Sequence, residues 1–82
     1  MPHVVVKLLP DRSEEQKTRL AREIARDVTN ELNCGEEAVS VAFEEIDPLA
    51  WAERVYKPGI LGKWDTVYKK PGYNPLKVEE LL

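Results

Sequence analysis

An α+β protein built on one β-α-β unit, followed by short C-terminal helices, is the fold class this sequence predicts. Three observations carry the prediction. An apolar, β-branched run occupies residues 3–9. A stretch opening at Ser13 then repeats Leu20, Ile24, Val28 and Leu32 at helical spacing. Finally, Val39, Val41 and Phe43 alternate with Ser40, Ala42 and Glu44. The joining segments are short, so the two strands are expected to be parallel, with a right-handed crossover.

The first strand contains Val4, Val5, Val6, Leu8 and Leu9. Its apolar run is too continuous for a half-exposed strand and suits one covered on both faces. Pro10-Asp11-Arg12 breaks it. Ser13-Glu14-Glu15-Gln16 has the form of a capping box, in which the serine hydroxyl and the glutamine side chain satisfy each other's backbone N–H groups. Ala21 and Ala25 flank the apolar stripe, while Lys17, Arg19, Arg22, Glu23, Arg26 and Glu31 read as the solvated face. The helix is expected to reach residue 33, with Gly35 as its left-handed cap. The second strand spans residues 39–46. Asp47-Pro48 then reads as an N-cap followed by proline at the first helical position. The spacing predicts a short helix over 49–56, stopped by Pro58-Gly59, and another around Ile60, Leu61, Trp64, Val67 and Tyr68, ended by Pro71-Gly72. The tail, 74–82, either docks as a strand or helix or frays.

With 82 residues the chain is expected to form a single domain, 1–82, with a β-α-β core over 2–46 and short helices and a tail over 47–82. A formal net charge of −3 argues against a nucleic-acid or anionic-membrane partner. Cys34 is the only cysteine, which excludes an internal disulfide. With no signal-peptide pattern at the start, this points to the cytoplasm. One histidine and one cysteine do not make a zinc cluster, so no metal site is expected. Two strands under one helix leave unpaired edges and a half-covered face. A second copy pairing strand to strand would give a four-stranded sheet with two helices on one face. At least a homodimer is therefore expected.

The chemistry begins at the N-terminus. Pro2 follows Met1 directly, and methionine is removed by its aminopeptidases when the next side chain is small. The mature chain would begin with a rigid secondary amine, whereas an internal proline nitrogen is a non-basic amide. An ordinary α-amino group titrates just above neutrality, so an apolar pocket or a nearby cation would suffice to make it a working base.

Pro2 ahead of an apolar strand, Arg12-Ser13-Glu14-Glu15-Gln16-Lys17 opening an amphipathic helix, Glu45-Ile46 closing the second strand and Trp51 beyond it together resemble the 4-oxalocrotonate tautomerase superfamily. The resemblance covers roughly residues 2 to 55, most of the expected β-α-β core. Lys69-Lys70-Pro71-Gly72-Tyr73 is similar to a bacterial branch with an extended C-terminal region, whose members tend to be dimers; smaller members form hexamers. The resemblance implies the tautomerase fold, a cofactor-independent isomerase, and a homodimer rather than a hexamer. In that family the terminal proline is a general base. Pro2 would then catalyse enol–keto tautomerisation of a 2-hydroxy-enoate or 2-oxo acid.

The same resemblance suggests substrate-binding residues, each with a plainer reading beside it. The family's arginine at the position of Arg12 binds a substrate carboxylate, and the exposed N–H groups of a helix start favour an anion there; a solvated arginine is the plain alternative. Trp51 could wall the site or simply pack as a core or interface aromatic. Ser40 stands where the best-known members carry a second arginine, and it offers a hydrogen bond without a charge. Arg54, one turn after Trp51, is a candidate substitute, though a surface arginine is the plainer reading. One arginine and an aromatic wall fit a mono-acid such as an arylpyruvate enol better than a dicarboxylate. His3 is pointed away from Pro2's neighbours by strand alternation and is given a structural role. Cys34, at a helix C-terminus, is given none. The rival functions are a dehalogenase or hydratase of the same superfamily, and a non-catalytic oligomeric binding protein.

Overall fold

The computed structural model describes residues 1–76. The chain divides into two compact units, Met1–Glu45 and Ile46–Leu82. The first unit has the expected strand, helix, strand layout: β1 at His3–Leu8, α1 at Glu14–Leu32 and β2 at Ser40–Glu45. The strands are parallel, in a register running from His3 opposite Ser40 to Leu8 opposite Glu45.

Asp11 turns the chain out of β1 with φ of 90°, a left-handed conformation that a short polar side chain tolerates. Helix α1 opens on the capping box. Gln16 N donates to Ser13 Oγ at 3.0 Å, and Ser13 N donates to Gln16 Oε1 at 2.9 Å. The C-terminal cap differs from expectation. Asn33, with φ of 54°, takes the left-handed position, and Gly35 is extended at φ of −74°. Asparagine adopts this conformation more readily than other non-glycine residues. The helix therefore ends before Gly35, which instead leads into a 3₁₀ turn at Glu36–Ala38.

One face of the sheet meets α1. Val4, Val6, Leu8, Val41 and Phe43 are half-buried. A groove lined by Glu14, Lys17, Thr18, Ala21, Val41 and Phe43 marks where helix and β2 side chains meet. The opposite face presents His3, Val5 and Lys7 from β1, with Val5 44% exposed. The expectation of a strand covered on both faces is thus not met within the protomer: β1 alternates between half-buried and exposed despite its continuous apolar run. The helical stripe is also covered only at its centre. Ile24 and Val28 are half-buried, whereas Leu20 and Leu32 are exposed. Lengths explain the exposure of Leu32: a helix of 19 residues spans about 28 Å and a strand of six about 20 Å, so the C-terminal end of the helix overhangs the sheet.

In the second unit Asp47 caps a 3₁₀ turn at Pro48–Ala50, its Oδ1 accepting from Leu49 N at 2.8 Å. The chain then winds as a π-helix over Ala52–Ile60 and continues as a 3₁₀ helix over Leu61–Thr66. The expected stop at Pro58-Gly59 is overturned, since Pro58 lies inside the helix. In the tighter α-helix the proline ring would meet the carbonyl four residues back; π-type spacing relieves that contact. The unit's buried residues include Ile46, Val55 and Tyr56. The Tyr56 and Tyr73 rings lie 5.8 Å apart at 44°. The expectation for the tail over 77–82 lies outside the described residues.

Candidate active site

Pro2 is half-buried at the head of β1. Its carbonyl oxygen accepts from Ser40 N at 3.2 Å, which ties the start of β1 to the start of β2. Ser40 Oγ in turn lies 2.6 Å from His3 Nδ1. Both side chains are exposed. They share the sheet face that α1 leaves open, because paired residues on adjacent strands point the same way. The structure therefore joins Pro2 to Ser40 through the backbone and Ser40 to His3 through the side chains. The pairing of His3 with Ser40 was not anticipated. The signal was latent in the sequence: two parallel strands of equal length, paired from their first residues, put residue 3 opposite residue 40.

Arg12 occupies the other end of β1, just beyond the Asp11 turn. It lines a cavity of about 270 Å³ together with Leu8, Gln16, Lys17 and Leu20. Two cations face this space, and one is already engaged. Lys17 Nζ lies 3.0 Å from Glu14 Oε1 and 3.2 Å from Glu45 Oε2, with its side chain 16% exposed. Glu14, and then Glu45, hold the Lys17 ammonium above the usual lysine range. Lys17 thus stays charged at neutral pH, balanced by two carboxylates and fastening the first turn of α1 to the end of β2. Arg12 has no ion pair or side-chain hydrogen bond among the described residues, so its charge is available to an anion. Six strand residues separate Pro2 from the far end of β1, about 20 Å of chain. Pro2 and Arg12 thus stand at opposite ends of β1.

Trp51 and Arg54 belong to the second unit. Trp51 is half-buried, and its Nε1 donates to the Tyr73 hydroxyl at 2.9 Å, which fixes the plane of the indole. Arg54 is exposed. Tyr73 was not singled out as a partner for Trp51, because no local periodicity links positions so far apart.

A family model described as tautomerase enzyme matches residues 2–53, beginning at Pro2. The chain belongs to the tautomerase family. It is accordingly an isomerase acting on a small molecule. Among relatives, the tautomerase PptA of Pectobacterium carotovorum subsp. carotovorum (strain PC1) is 41% identical over 75 residues, covering 90% of this chain and 99% of the relative. A probable tautomerase of Xylella fastidiosa (strain 9a5c) is 37% identical over 76 residues, with 93% of each chain covered. Among solved structures, YwhB, a homologue of 4-oxalocrotonate tautomerase, superposes with a TM-score of 0.55 at 35% identity, over 56% of this chain and 75% of that one. The tautomerase match includes Pro2, Arg12, Ser40 and Trp51 and stops just short of Arg54. Among the described residues of this tautomerase, no helix is long and apolar enough to cross a membrane.

Proposed function

We propose that this tautomerase converts the enol of a 2-oxo acid to its keto form, with Pro2 as general base once Met1 is removed. The observation that carries the reading is the position of Pro2. It is the first residue of the family match and is held at the head of β1 by the Ser40 N–H. The neutral amine would take the proton from the 2-hydroxyl of the enol. The electron pair of that O–H bond becomes the second carbon–oxygen bond of the carbonyl, and the pair of the C2=C3 bond takes a proton from the prolinium to form C3–H. The net change is one proton moved from oxygen to carbon, with no cofactor required.

The substrate carboxylate is assigned to Arg12. Because Pro2 and Arg12 lie at opposite ends of β1, the site needs a second copy. A two-fold pairing of β1 against its counterpart is antiparallel. The head of each β1 would then lie beside the end of the other, where the partner subunit's Arg12 precedes the helix cap. The exposed Val5 and the unpaired strand edges favour such a homodimer. The expected mass in multi-angle light scattering is that of a dimer; a monomer at assay concentration would remove the two-chain site. Trp51, Arg54 and Ser40 complete the proposed substrate-binding set. The first two stay in it on sequence grounds, with an arylpyruvate enol as the favoured substrate. The lone Cys34 supports residence in the cytoplasm.

A substrate screen tests this reading. Protein shown by intact mass to lack Met1 is offered phenylenolpyruvate and 2-hydroxymuconate, and ketonisation is followed by absorbance. Turnover of phenylenolpyruvate in preference to the dicarboxylate is the expected result. No turnover of either enol would end the assignment.

A further inference from the structure

His3 is the chain's one imidazole, and it sits beside Pro2 in the sequence. Three links close a ring around that position. A peptide bond joins Pro2 to His3. His3 Nδ1 lies 2.6 Å from Ser40 Oγ. Ser40 N donates back to the Pro2 carbonyl. A serine hydroxyl carries one proton and two lone pairs, so the direction of the side-chain bond decides what Ser40 has left to offer. When Nδ1 carries a hydrogen it donates to Oγ, and the Ser40 proton is free for another acceptor. When Nδ1 is bare, Ser40 gives its proton to the ring.

A free O–H on the residue whose backbone N–H holds Pro2 is useful in this chemistry. As the enol loses its proton, negative charge develops on the 2-oxygen, and a donor aimed there lowers the barrier. Resting on the reading of Pro2 as base, we propose that His3 is a positioning residue that turns the Ser40 hydroxyl proton toward the substrate's 2-oxygen. Ser40 is the donor that touches substrate; His3 acts through it. A protonated ring donates from both nitrogens and therefore holds this direction, whereas a neutral ring divides between two tautomers. The other charged side chains on this sheet face are Lys7 of β1 and its register partner Glu44 of β2, and α1 packs on the opposite face.

The test measures ketonisation against pH for Met1-free wild type, His3→Ala, His3→Asn, Ser40→Ala and the His3→Ala/Ser40→Ala double variant, with Pro2→Ala alongside. Circular dichroism checks that each variant is folded. The amide nitrogen of asparagine stands near the place of Nδ1 and donates at every pH. His3→Ala and Ser40→Ala should each lower kcat about tenfold or more, with smaller changes in KM. The double variant should lose no more than either alone, because the two residues act as one unit. His3→Asn should restore kcat. A wild-type kcat in His3→Ala would overturn the proposal. So would a loss that His3→Asn does not rescue, since the ring would then act by some route other than donation to Ser40. Wild-type rates in Pro2→Ala would instead sink the base assignment itself.

Discussion

Pro2→Ala is expected to lower kcat for enol ketonisation by about 10²-fold or more, the lower end of what a positioned general base contributes. Alanine is also small, so Met1 is expected to be removed from the variant as well, and a terminal amine remains. What changes is its rigidity: the proline ring holds the nitrogen at one place relative to the strand, while an alanine amine rotates freely. The backbone bond from Ser40 N to residue 2 needs only a carbonyl and should survive the substitution. KM should therefore move much less than kcat. Equal rates for variant and wild type, with Met1 absent from both by intact mass, would make Pro2 a structural residue. The acid limb of the kcat/KM profile supplies a second reading of the same group, because only the neutral amine accepts a proton.

Arg12→Ala carries the second large effect. A charge-assisted hydrogen bond to a carboxylate contributes about 1.5–3 kcal/mol, which corresponds to a loss in kcat/KM of roughly 10- to 100-fold. Most of it should appear in KM. Lys17 is not expected to compensate, since its ammonium is held by Glu14 and Glu45. The separation of Pro2 and Arg12 along β1 makes the prediction sharper when the variants are mixed. Pro2→Ala and Arg12→Ala protomers, unfolded together and refolded, should form mixed dimers. One site of each mixed dimer joins an intact Pro2 to the partner subunit's Arg12, and activity should return. The other site lacks both groups. If both residues served the same site from one chain, mixing would restore nothing, and the antiparallel pairing proposed for the dimer would be wrong.

The core of the fold was legible because its determinants are local. A capping box needs residues three apart, a helical stripe needs residues four apart, and a strand needs alternation over a handful of positions. Ser13 and Gln16 meet as their spacing implies, and β1, α1 and β2 occupy nearly the expected residues. The misses are also local, at places where two signals compete. Asn33 and Gly35 can both leave a helix, and the earlier one took the cap. Pro58-Gly59 ordinarily stops a helix, but π-type winding let it continue.

Short-range pattern was enough to specify the β-α-β unit, and the tautomerase resemblance marked Pro2 and Arg12 as the residues to examine. Family comparison confirmed the class of enzyme. Three-dimensional pairing supplied the rest. The hydrogen bond between His3 and Ser40 exists because two parallel strands align from their first residues, across 37 positions of chain. Pro2 and Arg12 are set a strand's length apart, which is why the proposed site draws on a second chain. Register and length are properties of the assembled sheet. No window of sequence short enough to show periodicity contains both partners of a long-range contact, and so Pro2 stood out from the start while its backbone bond to Ser40 did not.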